Sequence, residues 1–460
     1  MKTTLEYPQP PLLTHPAARV APRIIPRTLA RNALLALGTL VPVGLYLSWL
    51  NRFAVNVPQW DDFAVLATVG ALRQCSTWVE WTKHLFAFHN EHRLVYTRLV
   101  AWLASGWAGG PVDFRLLMAW GNASLLGLLG LFGTGVQRAN LPTLAWLPVP
   151  FLVLHLQFFE NTFFAMAALQ NLTVWLWAGL ALACLSRPTG PYFGLALGLG
   201  LLATGTSGNG LLVFPAGALV LMGQKRYALA GLWLGCFALA VSLYTRGLPT
   251  GPPFTDPTSF VRAFLGYLGA LGGARFGAWT PALVGLALVL VVTGAGLVLR
   301  RRHGPALWTR PEGTWLALFG FVALTGAAIA LRRPVADVLS VPRYKIGSVV
   351  AVVLAYLLVS AALPRSVQQR RWAAFVVAGS VLFWAVSYRR ITPHVLAQRL
   401  VLLQDAADFE RSGRLRNPAY RAQGFAPELH WRAAVEAGLY RFPTHPDEPK
   451  LLVFNAGSPK

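Results

Sequence analysis

The feature that most constrains this chain is a series of long apolar runs separated by short connections rich in arginine. Eleven such runs lie near residues 33–50, 114–136, 141–159, 162–185, 190–204, 210–223, 228–245, 279–299, 314–331, 346–363 and 372–388. A helix rises about 1.5 Å per residue, so about 20 apolar residues cross a hydrocarbon layer about 30 Å thick. Only 12% of the 460 residues are charged, whereas soluble domains carry about 25%. The expected fold is therefore all-α, a polytopic transmembrane helical bundle of about eleven spans. Runs 190–204 and 210–223 are short for a bilayer, and the polar, Gly-rich stretch Thr204 to Gly210 between them suggests a water-filled depression.

The formal charge of +23 invites a nucleic-acid reading. The arginines, however, punctuate apolar runs and form no continuous stripe, so nucleic acid is not an expected partner. Cys75, Cys184 and Cys236 provide no disulfide framework. Residues 1–32 are Pro- and Arg-rich, and no small-residue cleavage site follows the first run, which therefore reads as a retained helix.

Orientation turns on Leu94 to Trp107, which contains Arg98 and alternates apolar with polar residues. If this segment lies flat in the interface, the basic connections at Arg138, Arg187, Lys225/Arg226, Arg300 to Arg310 and Arg365 to Arg371 share one side with the basic N-terminus. Glu312 is their one acid. That arrangement satisfies the positive-inside rule and is the expected one. It implies a multi-pass protein of a bacterial inner membrane, with residues 1–32 cytoplasmic, a membrane domain over 33–388, and an extracytoplasmic tail over 389–460. Residues 51–113 form the first outer loop, with interfacial helices. In the tail, Val395 to Glu410 and Glu428 to Tyr440 have helical apolar spacing, which predicts a small helical appendage. Asp61, Asp62, Glu80, Glu91, Asp113, Glu160, Asp256 and Asp337 then all fall on the outer face, where the loops are longest. Acids and bases concentrated there point to a site.

The first outer loop contains Trp60-Asp61-Asp62-Phe63. Paired carboxylates suit a general base or a cation site; equally, Asp62 suits a helix N-cap ahead of Phe63, leaving Asp61 spare. Next comes His89-Asn90-Glu91-His92-Arg93, with His84 just before it. These side chains suit a substrate pocket. A divalent cation is the weaker reading, because the spacing matches no standard metal signature; Asn90 and Glu91 also suit the start of a helix. Glu160 and Asn161 stand at the outer end of the third run, followed by Gln170 and Asn171. Buried amides and acids in a membrane face either a cavity or a neighbouring helix. Ser207 and Asn209 occupy the next outer turn. Arg332, Arg333, Arg343, Tyr344 and Lys345 bound the last outer loop, and such clusters bind a phosphate or anchor to headgroups.

Taken together, these features resemble the GT-C superfamily of integral-membrane glycosyltransferases, and within it the protein mannosyltransferase and aminoarabinose transferase-like group. Trp60-Asp61-Asp62, His89 to Arg93, Glu160-Asn161 and Ser207-Gly208-Asn209-Gly210 are similar to a bacterial group of uncharacterised multi-spanning proteins carrying a His-Asn-Glu-His-Arg motif. The resemblance covers most of the membrane portion. It implies transfer of a sugar, with inversion, from a polyprenyl-phosphate carrier to a glycan, lipid or protein acceptor on the outer face. Asp61 takes the position of the family's base; Asp-Asp stands where better-known members often have Asp-Glu, and no large outer domain is evident. In this frame Arg343 and Lys345, with Arg332 or Arg333, would hold the leaving phosphate, while His89, Asn90 and Glu91 would hold sugar hydroxyls. The resemblance fixes no cofactor, and a divalent cation stays the weaker expectation. The main alternative is a transporter or flippase whose path runs past His155, Gln170 and Asn171. An acyltransferase using His89 or His92, or a non-catalytic subunit, are further alternatives.

Overall fold

The computed structural model of the protein describes residues 27–106, 110–248, 256–273, 277–415, 420 and 427–443. Among these the regular structure is helical, and the one β-type pairing is an isolated bridge between His89 and His92. Among the described residues eight helices are long and apolar enough to cross a membrane: Ala33–Phe53, Phe114–Arg138, Ala165–Leu185, Tyr227–Thr245, Thr280–Thr309, Pro311–Ala330, Pro342–Ala362 and Ser366–Ser412. They coincide with eight of the eleven apolar runs. The other three runs give shorter helices, each for a visible reason. Run 141–159 gives a Thr143–Val153 piece that ends where Leu154 leaves the helical conformation (φ −100°, ψ 59°), and the Ser207 to Gly210 turn divides Gly190–Thr206 from Gly208–Gly223. The structure is thus a multi-pass helical bundle.

The helices used below are α1 (Arg27–Phe53), α2 (Asp62–Gln74), α3 (Trp78–Leu85), α4 (Val95–Ala104), α5 (Phe114–Arg138), α6 (Ala165–Leu185), α7 (Gly190–Thr206), α8 (Gly208–Gly223), α9 (Tyr227–Thr245), α10 (Pro257–Leu268), α11 (Thr280–His303), α12 (Pro311–Ala330), α13 (Lys345–Ala362), α14 (Ser366–Ser412) and α15 (Pro427–Glu436).

The basic connections meet at one end of the bundle. Gln224 Nε2 donates to the carbonyls of Leu185 (3.0 Å) and Trp308 (2.8 Å), and Arg226 reaches the Arg187 carbonyl at 3.3 Å. Arg302 donates to the carbonyls of Ala361 and Ala362 at 2.9 and 2.8 Å. Helix chemistry explains the placement. α5 and α11 end there on Arg138 and on Arg300 to His303, where a cation meets the negative end of the helix dipole. α12 starts there with Pro311 and Glu312, residues suited to a first turn.

The first loop lies at the opposite end. α4 has 10 residues, about 15 Å of helix, too short to cross a hydrocarbon layer of about 30 Å. Its awkward Arg98 is buried and bonds backbone: Nη1 donates to the carbonyls of His84 (3.3 Å), Leu85 (3.1 Å) and Ala87, where α3 ends. Arg73 of α2 likewise donates to the carbonyls of Ser105 (2.7 Å) and Gly110 (2.5 Å). Non-helical carbonyls with little access to water need such donors.

α6 begins irregularly, with a π-helical turn over Ala168–Leu172. α5 presses directly on that turn, since a Cβ on Gly121 would lie 2.4 Å from the Ala168 carbonyl carbon. Beneath it Tyr46 donates to Asn122 Oδ1 (2.5 Å), and Asn122 Nδ2 donates to the Thr162 carbonyl (3.0 Å). These bonds tie α1 and α5 to the segment that carries Glu160.

α14 runs 47 residues without a break, about 70 Å at 1.5 Å per residue. It therefore continues through residue 388, where the apolar run ends, and carries the first part of the tail. Phe409 on its last turns stacks on Trp431 of α15 at 4.6 Å, and Trp431 meets Phe63 of α2 at 5.5 Å. The Val112 amide donates to the Leu439 carbonyl (2.7 Å), and Tyr440 Oη donates to the Asn56 carbonyl (2.7 Å). The end of the described chain thus packs onto the first loop.

Replacing Arg98 with Met keeps the apolar stem but leaves four carbonyls, those of His84, Leu85, Ala87 and Phe88, without this donor. The expected cost is about 3 kcal/mol, read as a lower thermal midpoint of the detergent-solubilised protein. An unchanged midpoint would show that those carbonyls find other partners.

Candidate functional site

Five elements converge on a cavity of about 720 Å³ at the first-loop end. The turn after α1 supplies Gln59, Trp60 and Asp61. The His89 to His92 turn supplies all four of its residues. The start of α6 and the segment before it supply Phe159, Glu160, Phe164, Gln170 and Asn171. The last loop supplies Arg333, Arg343 and Tyr344, and α14 closes the wall with His394, Gln398 and Leu402.

Local backbone geometry presents each acid. His89 and His92 exchange both backbone hydrogen bonds (2.8 and 2.9 Å), closing a tight turn with Asn90 and Glu91 at its tip. Asn90 has φ 50°, in the left-handed region that Asn tolerates better than most residues. Asn90 therefore forms a turn and does not cap α4, whose first flanking residue is Leu94. Asp61 comes just before α2, after Trp60 at φ 47°.

The two aspartates have different surroundings. Asp61 opens to the cavity, and its Oδ1 lies 3.2 Å from His89 Nε2, an ion-pair distance without hydrogen-bond alignment. Asp62 is buried, and its carboxylate accepts from the amides of Met166 (2.9 Å) and Gln59 (3.3 Å). Burial pushes the Asp62 carboxyl well above its usual range, opposed by these amide bonds. Asp62 is therefore a clamp between the first loop and the start of α6. It does not line the cavity and is not itself a cap of α2. Gln59 extends the clamp, donating to the Phe163 carbonyl (2.8 Å) and accepting from Gln398 Nε2 (2.9 Å).

Opposite charges bridge the loops. Glu91 pairs with Arg333 and lies 3.9 Å from His92 Nε2. One edge of the His92 ring opens to the cavity while Nδ1 is enclosed without a partner. A Cβ on Gly208 would lie 2.9 Å from that Nδ1 and 2.9 Å from Tyr244 Oη, so this glycine lets His92 and α9 approach. Burial lowers the His92 pKa below its ordinary 6.5; Glu91 opposes the shift and Arg333 adds to it. Burial raises the Glu160 carboxyl, while Arg343 and Lys345 pull it back.

Of the site residues read from the sequence, Asp61, His89, Asn90, Glu91, His92, Glu160, Arg333, Arg343 and Tyr344 line this one cavity. The others support it or stand aside. Arg93 donates to the carbonyls of Phe86 (2.5 Å), Tyr244 (3.0 Å) and Arg246 (2.6 Å), and stacks over Phe88, fastening the turn to α9. Asn161 donates to the Arg343 carbonyl (2.8 Å) and accepts from Asn171 (2.9 Å), which sets the last loop against α6. Asn209 reaches Thr325 Oγ1 at 3.4 Å, Lys345 donates to Gln157 Oε1 at 3.3 Å, and Arg332 is exposed. Gln170 donates to Ser207 Oγ at 3.2 Å while also lining the cavity. His155 packs edge-on against Phe158 and Phe383, outside the lining.

The sequence reading gave no site role to Gln59, Trp60, His394 or Gln398, though Trp60 stands in the motif it singled out. The last two stand four residues apart with Ala397, Val401 and Leu402, one face of a helix; that spacing was available as a signal. Among the described residues no three His, Cys, Asp or Glu side chains group as metal ligands.

Two outcomes are expected. Asp62→Ala removes the acceptor of two enclosed amides and lowers stability by roughly 1–3 kcal/mol per orphaned donor, whereas Asp61→Ala leaves the thermal midpoint near that of the wild type. For His92, a folded pKa below the unfolded one means that the unfolded chain binds more protons. Stability is therefore full above about pH 6.5 and declines as the pH falls below it. His92→Gln removes that share of the acid decline, measured as thermal midpoint against pH.

The chain matches no protein-family model, no curated protein and no solved structure.

Proposed function

We propose that the protein is a membrane glycosyltransferase of the GT-C type, using a polyprenyl-phosphate sugar as donor and Asp61 as general base. The observation that carries this reading is the sharing of one cavity by Asp61, His89, Glu160, Arg333 and Arg343. A carboxylate able to take a proton thus faces the same space as two guanidinium groups able to hold a phosphate.

In the proposed step the acceptor hydroxyl attacks the anomeric carbon and its proton passes to Asp61. The bond from that carbon to the phosphate oxygen breaks, and the phosphate leaves with the electron pair. The leaving group is already an anion, so no general acid is needed. Arg343 stabilises the emerging charge. Arg333 would join it by exchanging Glu91 for phosphate oxygens. His89 Nε2 stands 3.2 Å from Asp61, close enough to orient the carboxylate once hydrogen-bond alignment is reached. Phe159, Phe164, Val401 and Leu402 give the cavity an apolar side suited to an isoprenoid chain. The cavity end faces outward in this reading and the basic end faces the cytoplasm of a bacterial inner membrane.

A second reading, a flippase or transporter, draws on the broken helices beside the cavity: Thr143–Val153 and the π-helical turn that carries Gln170 and Asn171. One experiment separates the two. Purified protein in lipid vesicles is given a labelled polyprenyl-phosphate sugar and a mixture of candidate acceptors. Covalent transfer is expected from the wild type, with a loss of about 10²–10⁴-fold in Asp61→Asn. Transfer at the wild-type rate by a folded Asp61→Asn variant would exclude Asp61 as base. Movement of the labelled lipid across the bilayer with no covalent product would favour the second reading.

A further inference from the structure

At the basic end a separate groove of about 380 Å³ opens between α5, α6 and the start of α12. Its floor is apolar, formed by Gly127, Gly130, Leu131, Leu180 and Leu318. Its mouth carries two guanidinium groups, on Arg138 at the last residue of α5 and on Arg187 just beyond α6. From Gly127 to Arg138 the helix rises about 16 Å, close to the roughly 15 Å of one leaflet's hydrocarbon. The space is genuine at Gly130, where a Cβ would meet nothing within 4 Å.

The mouth is organised around its charges. Arg187 donates to Tyr192 Oη at 2.6 Å, and its guanidinium lies 4.6 Å from the Tyr192 ring centre, so its side chain is held over the groove. Among the described residues the acid next to this opening, Glu312, is buried and paired with Arg310 through two contacts of 3.2 Å. It therefore leaves the positive field of the mouth largely uncancelled. Two guanidinium groups above an apolar trough of leaflet length match a lipid whose phosphate is an uncompensated anion. A zwitterionic headgroup brings its own cation, which Arg138 and Arg187 repel.

We propose that this groove binds one anionic phospholipid of the leaflet at the basic end, with an acyl chain along α5 and the phosphate held by Arg138 and Arg187. The site is separate from the 720 Å³ cavity and stands whether or not the protein transfers sugar.

The test is native mass spectrometry of the full chain released from detergent containing equal amounts of phosphatidylglycerol and phosphatidylcholine with matched acyl chains. The wild type is expected to retain one phosphatidylglycerol in preference, by roughly 30-fold for two arginines near the surface. Equal retention of the two lipids by the wild type overturns the proposal without any variant. Arg138→Gln combined with Arg187→Gln is expected to abolish the preference, and an undiminished preference overturns the assignment to these residues. Gly130→Leu, which fills open space, is expected to reduce retention of phosphatidylglycerol while leaving the thermal midpoint in lipid-free detergent unchanged. Full retention in that variant overturns the placement of the chain.

Discussion

Backbone that leaves the helical state at the edge of a membrane loses both its internal hydrogen bonds and much of its access to water. The first loop of this protein meets that constraint with arginine side chains. Arg73, Arg93 and Arg98 donate to carbonyls at the ends of α3, α4 and α9. A guanidinium suits the task because one planar group carries five donors. Asp62 does the complementary work for amides, taking two that lie on either side of the loop-to-bundle contact. With those groups satisfied, the loop is fixed against α6, and Asp61 and the His89 to His92 turn acquire defined positions.

The cavity is therefore assembled by residues that mostly do not face it. Asn161 holds the last loop through the Arg343 carbonyl, so Arg343 and Glu160 approach each other by way of backbone contact. Gly208 makes room for His92, and Gly121 brings α5 against the π-helical turn from which Gln170 and Asn171 project. Interactions of this kind preorganise charges. The cavity presents an acid beside an imidazole, together with two guanidinium groups, without first having to fold around a ligand.

Much of this was legible in the sequence, and what was not has a physical reason. Apolar runs reported the long helices because hydropathy is a property of the segment. Three of the eleven runs form shorter helices, because hydropathy does not fall where the backbone leaves the helix at Leu154 and at the Ser207 to Gly210 turn. Asp61, Glu91, Arg333 and Arg343 were visible because charges beside membrane spans are costly and stand out. The difference between Asp61 and Asp62 was not visible, since it depends on which of two adjacent carboxylates meets the Met166 amide across 104 residues of sequence. The helical spacing of His394 and Gln398 was legible, but their place on the cavity was not, because Arg389 and Arg390 set them apart from the last apolar run. That pair marks the end of the apolar run, and nothing in it shows that the helix continues.

The continuity of α14 makes it a ruler for the whole molecule. Gln369 and Arg370 near its start, the Gln398 face against the cavity, and Phe409 stacked on Trp431 belong to one continuous helical rod that carries Pro393 within it. Each residue added to such a rod turns everything beyond it by about 100°. A single insertion after Arg390 would swing Gln398 away from Gln59 and Phe409 away from Trp431 together. The membrane-spanning half and the tail-bearing half are thus indexed to one another by angle. Length at this joint can vary only in steps that bring the same face back around.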